Sequence, residues 1–251
     1  MQKQLLIFDF DGCLYPYPEN FVDIFHATRI KTGLTISQGS IDEDTALQIG
    51  WNSYLETGIT YKALCNEFGM SLGEGALLHH RFAKFDLKPN PKLIEAFTAL
   101  ERSSVHCAIL THSTRCNLDH HLPLIGLDRF FPRNLRITIE DHGHDRLKNN
   151  SEYPWLLSKW RAEQVSGEKF DDANITVFED TDKNLIVPAD MGWKTVFVHQ
   201  GAPRIKLLPH IHEQVRCISD FLNKMPQRPQ PITAAIPAQE HAAPHTDIDP
   251  A

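Results

Sequence analysis

The sequence predicts an α/β protein built on a doubly wound parallel sheet, with an inserted group of helices. Apolar runs of strand length begin near residues 5, 105, 136, 175 and 195, and helical periodicity separates them. Acidic or hydroxyl side chains follow several of these runs, and ligands of open α/β sheets bind at the carboxyl ends of strands. Four helices are predicted between the first two strands, which is more than a simple crossover needs.

The first strand, Leu5–Phe8, ends at Asp9 and Asp11, and Gly12 then breaks the pattern. Residues two apart in an extended chain project to the same side, so we expect these carboxylates close together. Ionised carboxylates in such a place repel each other unless a cation compensates them. A hard cation such as Mg²⁺ prefers oxygen ligands, and an Asp beside a metal can be a nucleophile. The alternative is an ordinary solvated strand end.

Composition excludes several classes of partner. The chain has 251 residues, a formal net charge of −7 and a pI near 6.0, whereas a surface for nucleic-acid polymers is normally basic. No apolar run approaches the ~20 residues of a membrane span, so we expect no membrane partner, and we expect no signal peptide. Five cysteines without a CxxC pair predict free thiols in a reducing cytoplasm. The oligomeric state is unknown at this stage.

Residues 17–87 are predicted to form an all-helical domain inserted into a core made of residues 1–16 and 88–225. Apolar positions recur at helical spacing in four segments: 21–30, 41–54, 60–68 and 72–85. Either Ser40 or Asp42 can cap the second of these helices. The alternative interpretation is that the helices simply pack on the sheet.

The second strand, Val105–Leu110, ends at Thr111, His112 and Ser113. Ser113 or Thr114 can cap the helix that follows. A hydroxyl group at a strand end, followed by a helix N-terminus, suits an anion. This segment is therefore a candidate for binding an anionic group.

The third strand is predicted at Arg136–Ile139, and a His-x-His pair, His142 and His144, follows it. Such a pair with flanking acids could indicate a transition-metal site. No Cys or third His follows at ligand spacing, so we favour a polar loop.

The fourth strand, Ile175–Phe178, ends in Glu179 and Asp180, which repeats the arrangement of the first strand. One cation could serve both strand ends. After it we expect a helix over 184–191, broken around Pro188. The remaining predicted elements are a fifth strand at Lys194–His199, a last helix at Ile211–Met225, and a disordered, proline-rich tail at 226–251.

These features, in this order, resemble the haloacid dehalogenase-like (HAD) hydrolase superfamily. Residues 9–14, Asp-Phe-Asp-Gly-Cys-Leu, resemble its first motif, DxDG(T/V)(L/V), with Cys13 in the Thr or Val position. Thr111 matches the second motif, and Glu179 with Asp180 matches the fourth. The continuation Leu14-Tyr15-Pro16 resembles the pyrimidine 5′-nucleotidase-like branch. The resemblance covers roughly residues 3–200 and implies a Rossmann-like HAD core with a helical cap.

A lysine between the third strand and the next helix is the third motif of that superfamily. Lys148 holds this place, although the usual Pro-Asp-Pro is missing after it, and Arg146 and Lys159 are the alternatives. A cation is needed because it offsets the charge of the nucleophile and of the phosphoryl oxygens.

The resemblance also implies the roles of the site residues. Asp9 attacks phosphorus, and Asp11 acts as general acid and then as general base. Mg²⁺ is held by Asp9, the backbone carbonyl of Asp11, Asp180 and Glu179, the last directly or through water. The substrate-binding residues expected on the same basis are Thr111, the backbone N–H of His112, Ser113, Tyr15 and the catalytic Lys148.

The resulting prediction is a Mg²⁺-dependent phosphomonoester hydrolase that forms an aspartyl-phosphate and acts on a small phosphorylated metabolite. By resemblance, the substrate is a nucleoside 5′-monophosphate. The alternatives are a phosphosugar phosphatase or phosphomutase on the same core, a haloacid dehalogenase, and a non-catalytic binding protein.

Overall fold

The computed structural model describes residues 3–101, 104–201 and 203–225. Its six strands form one parallel sheet in the order β3-β2-β1-β4-β5-β6, which confirms the predicted doubly wound fold. The strands are β1 (Gln4–Phe8), β2 (Val105–Leu110), β3 (Arg136–Ile137), β4 (Ile175–Glu179), β5 (Lys194–Val198) and β6 (Glu213–Val215).

Strand β1 lies in the middle of the sheet, paired with β2 on one side and β4 on the other. Its side chains alternate between two buried clusters, because successive residues of a strand point to opposite faces. Leu6 and Phe8 belong to one cluster, and Leu5 and Ile7 belong to the other. The order of the sheet reverses beside β1, so residues that follow β1 and β4 meet in the crevice there.

Helices cover both faces of the sheet. One face packs against α5 (Pro91–Leu100), α6 (Arg115–Leu124) and α10 (Ile218–Leu222), and the other packs against α8 (Tyr153–Ser166). Two short helices complete the core, α7 (Ile139–His142) and α9 (Ile186–Asp190). Asn90 caps α5 and Thr114 caps α6, each by accepting a backbone N–H of the first turn.

Four helices lie between β1 and α5, at the positions that the sequence predicts. They are α1 (Phe21–Ile36), α2 (Glu43–Thr57), α3 (Lys62–Phe68) and α4 (Leu72–Phe82), and we call them the helical module. Asp42, rather than Ser40, caps α2 by accepting the N–H of Thr45 over 2.8 Å. The module has its own buried cluster, which Ile139 and Leu147 of the core join. Its assignment as a separate domain over 17–87 stays a prediction.

The predicted third strand is too long. Only Arg136 and Ile137 pair with β2. Asp141 accepts the backbone N–H of Thr138 over 2.8 Å and its hydroxyl over 3.0 Å, so a helix begins at Ile139 instead. The predicted break at Pro188 is also wrong. Pro188 lies in the first turn of α9, where its missing N–H costs little.

The single last helix predicted at Ile211–Met225 is wrong as well. Residues Glu213–Val215 form β6, which pairs in parallel with Val196–Val198 of β5, and only Ile218–Leu222 is helical. The open edge of β5 offers unpaired backbone groups, and pairing there outweighs the local helical pattern.

Three further sequence predictions concern the cysteines, membrane-spanning helices and the C-terminal tail. All five cysteines are free thiols. In the described parts of the chain, none of the helices combines the length and apolar character that crossing a bilayer requires. The predicted tail at 226–251 lies outside the described residues.

Candidate active site

Three acidic side chains meet in the crevice at the carboxyl ends of β1 and β4. Asp9 follows β1, Glu179 ends β4, and Asp180 is the next residue. One oxygen from each carboxylate lies within 4.8 Å of the others, and Asp9 and Glu179 are buried. In the described residues this is the group of His, Cys, Asp or Glu that is placed to hold a metal ion.

The Lys148 ammonium lies against the acidic cluster. Its Nζ atom donates to Asp9 Oδ1 over 2.7 Å and to Glu179 Oε2 over 2.5 Å, and its side chain is only 2% exposed. The backbone of Lys148 is held on both sides: its N–H donates to His112 Nε2 over 3.1 Å, and its carbonyl accepts from Trp155 Nε1 over 2.9 Å. These bonds direct the ammonium group into the crevice without the Pro-Asp-Pro signature.

The two alternative cations lie elsewhere. The guanidinium of Arg146 stacks over the Tyr153 ring, 4.6 Å from its centroid. Lys159 donates to Asp172 over 2.8 Å at the surface. Neither has a described contact with Asp9, so among these three cations Lys148 is the one that reaches the acidic cluster, and its role as the third motif stays a prediction.

The cluster carries an excess of negative charge. Burial, reinforced by repulsion from Glu179, raises the pKa of Asp9 to about 8. Burial and the neighbouring carboxylates also raise the pKa of Asp180 well above its usual value. Burial alone would lower the pKa of Lys148, but attraction to Asp9 and Glu179 raises it. One ammonium cannot balance three carboxylates, so this oxygen-rich group fits a hard divalent cation such as Mg²⁺.

The carboxylate of Asp11 lies outside this acidic cluster. Tyr15 donates its hydroxyl to Asp11 Oδ1 over 2.5 Å, and Ser113 donates its hydroxyl to Asp11 Oδ2 over 2.5 Å. Asn117 Nδ2 donates to Ser113 Oγ over 3.2 Å. Both carboxylate oxygens are therefore oriented by hydroxyl groups. The predicted metal contact through the backbone carbonyl of Asp11 stays a prediction.

The residues that follow β2 form the neighbouring wall. Thr111 Oγ1 accepts the N–H of Ser113 over 3.0 Å, and His112 accepts from Lys148 through its ring. The N–H groups of Thr111 and Ser113 are both paired, since Thr111 donates its own N–H to the Ile137 carbonyl over 3.0 Å. His142 is buried, with its Nε2 atom 3.4 Å from the Thr111 carbonyl, so it belongs to the interior rather than to the polar loop that we predicted.

Gly12 makes the approach of these strand ends possible. Its φ of +75° is in the left-handed region. A Cβ atom at this position would collide with Asp180 Oδ2 and with the ring of Tyr17. A side chain here would therefore strain the backbone and displace a carboxylate of the cluster.

A cavity of about 150 Å³ opens above the carboxylates, between the sheet and the helical module. The predicted residues Asp9, Asp11, Thr111, His112 and Ser113 line it, as do Lys148, Glu179 and Asp180. Tyr15 is not among its described lining residues and contacts Asp11 through its hydroxyl group. Tyr17, a bulky residue that we expect to influence substrate choice, also lines the cavity. The helical module and the residues flanking its helices contribute side chains that sequence reasoning missed: Phe21, Phe25, Tyr54, Tyr61, His79, His80 and Phe85.

Tyr17, Phe21, Phe25 and Phe85 form an aromatic wall of this cavity. Tyr17 stacks on Phe21 with ring centroids 4.0 Å apart, and Phe21 stacks on Phe25 at 5.0 Å and on Phe85 at 6.2 Å. The aromatic residues of 15–25 were visible in the sequence, but helical spacing there indicates a core just as well as a ligand wall.

No protein-family model matches this sequence, and no curated protein matches it. Solved structures do match the fold. A HAD phosphatase from Thermococcus onnurineus has a TM-score of 0.60 at 16% identity, over 89% of this chain and 97% of that one. The magnesium-bound Bacillus subtilis protein YfnB has a TM-score of 0.55 at 18% identity, over 89% of this chain and 98% of that one. An L-2-haloacid dehalogenase from Xanthobacter autotrophicus has a TM-score of 0.50 at 16% identity, over 88% of this chain and 98% of that one.

Phosphatases and dehalogenases are both found among these similar structures, so the activity has to be argued from the site. Each of these matches extends over nearly the whole of both chains. This chain therefore has the fold that the HAD phosphatase and dehalogenase structures share.

Proposed function

We propose that this chain is a Mg²⁺-dependent phosphomonoesterase of the HAD superfamily that works through an aspartyl-phosphate. The observation that carries the proposal is the acidic cluster of Asp9, Glu179 and Asp180 around Lys148, at the floor of a cavity. This arrangement offers a nucleophile, a cation and a metal site to a phosphoryl group. The fold alone would not distinguish among the activities of similar structures.

Asp9 is the proposed nucleophile. Its carboxylate forms a bond to phosphorus while the bond from phosphorus to the leaving oxygen breaks. Lys148 holds one oxygen of Asp9, which fixes the direction of the attacking group and leaves positive charge beside the equatorial oxygens. The Thr111 hydroxyl and the backbone N–H of His112 would hold the same oxygens. Asp9, Asp180 and Glu179 would hold Mg²⁺, which when bound supplies further charge neutralisation.

Asp11 is the proposed general acid and base. It transfers a proton to the leaving oxygen and later removes one from the water that hydrolyses the aspartyl-phosphate. Tyr15 and Ser113 keep its carboxylate beside the nucleophile without pairing it with a buried cation. A halide leaving group needs no proton, so this arrangement favours a phosphate ester over a haloacid as substrate.

A screen of phosphate esters with Mg²⁺ tests the proposal. We expect free phosphate from one or more esters, and loss of that activity with a chelator. Conversion of a sugar phosphate to its isomer without phosphate release would identify a phosphomutase. Halide release from 2-chloropropionate would identify a dehalogenase, and no reaction with any of these would leave a binding protein.

We also propose that residues 17–87 act as a cap and that the substrate is a nucleoside 5′-monophosphate. The support is the aromatic wall above the carboxylates, since a planar base can stack on rings such as Phe21 and Phe85. The hydroxyl-bearing ring of a phosphosugar offers a smaller apolar face for contact with such a wall. The magnesium in the similar structure of YfnB is in line with the proposed metal.

The aromatic wall leads to a prediction for substrate ranking. Phe21→Leu should raise KM for uridine 5′-monophosphate about 2- to 12-fold, because one ring contact contributes about 0.5–1.5 kcal/mol. The KM for glycerol 1-phosphate should change little. Steady-state kinetics with both esters, and with Phe130→Leu as a control in the core, would check it. Equal losses for both esters would mean that Phe21 only supports the fold.

Asp180 leads to a prediction for the metal. Asp180→Asn should raise the Mg²⁺ concentration needed for half-maximal activity at least about tenfold, because a hard cation prefers an anionic oxygen. Asp182→Asn is the matched control, since Asp182 pairs with Arg204 at 2.6 Å and does not line the cavity. Titration of activity and of melting temperature with Mg²⁺ measures both variants. An unchanged Mg²⁺ requirement in Asp180→Asn would remove this residue from the metal site.

A further inference from the structure

The helical module reaches the core at a hydrogen-bonded contact that the proposed reaction has not yet used. His80 belongs to α4, and its Nε2 atom lies 3.3 Å from Ser113 Oγ. Ser113 contacts Asp11, the proposed general acid, at 2.5 Å. Helix α4 also packs against α6, which carries Asn117. A continuous chain of contacts therefore runs from the module to the general acid.

The direction of these hydrogen bonds follows from the number of protons available. Ser113 has one hydroxyl proton, and it donates this proton to Asp11 Oδ2, so it has none left to donate to His80. Asn117 Nδ2 can only donate, and it does so to Ser113 Oγ over 3.2 Å. The contact with His80 then requires a proton on Nε2 that is donated to the second lone pair of Ser113. With both lone pairs occupied, the hydroxyl is held toward Asp11.

The other oxygen of Asp11 is held differently. Its partner Tyr15 belongs to the segment that follows β1, only four residues from Asp11, and therefore stays with the core. His80 belongs to the helical module, 33 residues before Ser113 in the chain. A shift of α4 relative to the core would break the His80 contact and leave the Tyr15 contact intact.

We propose that His80 is a positioning residue for Asp11. Because His80 holds the Ser113 hydroxyl, the orientation of the general acid depends on how α4 packs against the core. The inference rests on the proposed phosphomonoesterase reaction. The packing of the helical module against the core would then control proton donation to the leaving group. Attack by Asp9 would be less affected, because Lys148 and the strand ends hold Asp9.

The experiment measures how the rate depends on the leaving group. The variants are His80→Leu, which removes the donor, His80→Gln, which keeps an N–H near the same place, and Ser113→Ala, which removes the intermediate hydroxyl. His120→Leu is the matched control, because His120 is exposed on α6 and does not line the cavity. The substrates run from 4-nitrophenyl phosphate, whose leaving group barely needs a proton, to phenyl phosphate, with saturating Mg²⁺. The parameter is kcat/KM, since it includes the step in which the leaving group departs.

We expect His80→Leu and Ser113→Ala to lose about tenfold with phenyl phosphate and less than about threefold with 4-nitrophenyl phosphate, part of the ~10²–10⁴-fold that general acid–base catalysis supplies. His80→Gln should recover most of the loss, and His120→Leu should match the unaltered protein. Equal losses across the series, or no loss, would overturn the role of His80 and leave the proposed function standing. An unaltered protein that cleaves no ester would overturn both.

A second measurement does not depend on activity. Nitrogen-15 chemical shifts of the His80 ring, recorded for the protein without substrate, report which ring nitrogen carries the proton. We expect the proton on Nε2 in the unaltered protein. A proton on Nδ1, with Nε2 acting as the acceptor, would direct the Ser113 hydroxyl away from Asp11 and contradict the inference.

Discussion

Replacement of Asp9 by Asn is expected to abolish turnover with every phosphate ester. The change removes the nucleophile and one carboxylate of the metal cluster at once, so no covalent intermediate can form. The amide can still accept from Lys148 at the position of Oδ1, where the ammonium donates over 2.7 Å, so the fold should persist. Release of phosphate should fall to the background rate, and no phosphorylated protein should be found by mass spectrometry.

Replacement of Asp11 by Asn is expected to fail in a different way, because Asp9 is still free to attack. The variant loses the proton donor for the leaving group and the base for water, which is typically worth ~10²–10⁴-fold. With 4-nitrophenyl phosphate, whose leaving group barely needs a proton, it should release a burst of nitrophenolate and then stall as the phosphorylated enzyme. With an alkyl phosphate it should be slow from the first step.

Rapid mixing with detection of nitrophenolate, together with the intact mass of the quenched protein, distinguishes these outcomes. Glu140→Gln is a suitable control, since this carboxylate accepts the N–H of Arg115 at the start of α6 and does not line the cavity. A burst with mass gain in Asp9→Asn would overturn the division of roles between Asp9 and Asp11. Equal losses for aryl and alkyl esters in Asp11→Asn would do the same.

Replacement of Lys148 by Met is expected to reduce both activity and stability. The loss of one preorganised donor should cost about 2–4 kcal/mol of transition-state stabilisation, which is roughly 30- to 1,000-fold in rate. The folded protein would also keep Asp9 and Glu179 buried without their cation, and breaking such a buried pair typically costs about 3–5 kcal/mol. The melting temperature should therefore fall, and added Mg²⁺ should restore part of it.

Lys159→Met is the matched control for this prediction, because Lys159 is a lysine of the adjacent helix with a surface partner. An exposed ion pair is worth about 0–1 kcal/mol, so activity and melting temperature should change little. Arg146→Met tests the remaining alternative. A mild effect of Lys148→Met with a severe effect of either control would show that the third motif was placed at the wrong residue.

The floor of the site could be predicted from the sequence because it depends on local patterns. An apolar run of strand length followed by carboxylates occurs at Asp9 and again at Glu179, and parallel strands bring their carboxyl ends to one edge. The same local periodicity predicted α1 to α4 and placed Thr111 at the end of β2. Each of these inferences needs only the period of a strand or a helix and the direction of the chain.

The sequence alone left three cations open as the third motif, and packing brings Lys148 to the acidic cluster. Lys148 lies 139 residues from Asp9 in the chain, and it reaches the cluster because His112 and Trp155 hold its backbone. Arg146 and Lys159 have the same charge but find other partners nearby. Which cation reaches Asp9 depends on which one has no nearer partner, and the local sequence pattern does not show this.

The sequence by itself therefore determined the class of fold, the order of its first five strands, the four helices between the first two strands, and the carboxylates at the strand ends. Tertiary structure decided the pairing of β6 with the open edge of β5, the aromatic wall, and the contact of His80 with Ser113. These features join segments that are far apart in the chain, and they form where buried polar groups and open sheet edges find partners. The periodicity of a segment predicts which face is buried, but only the folded chain shows what that face meets.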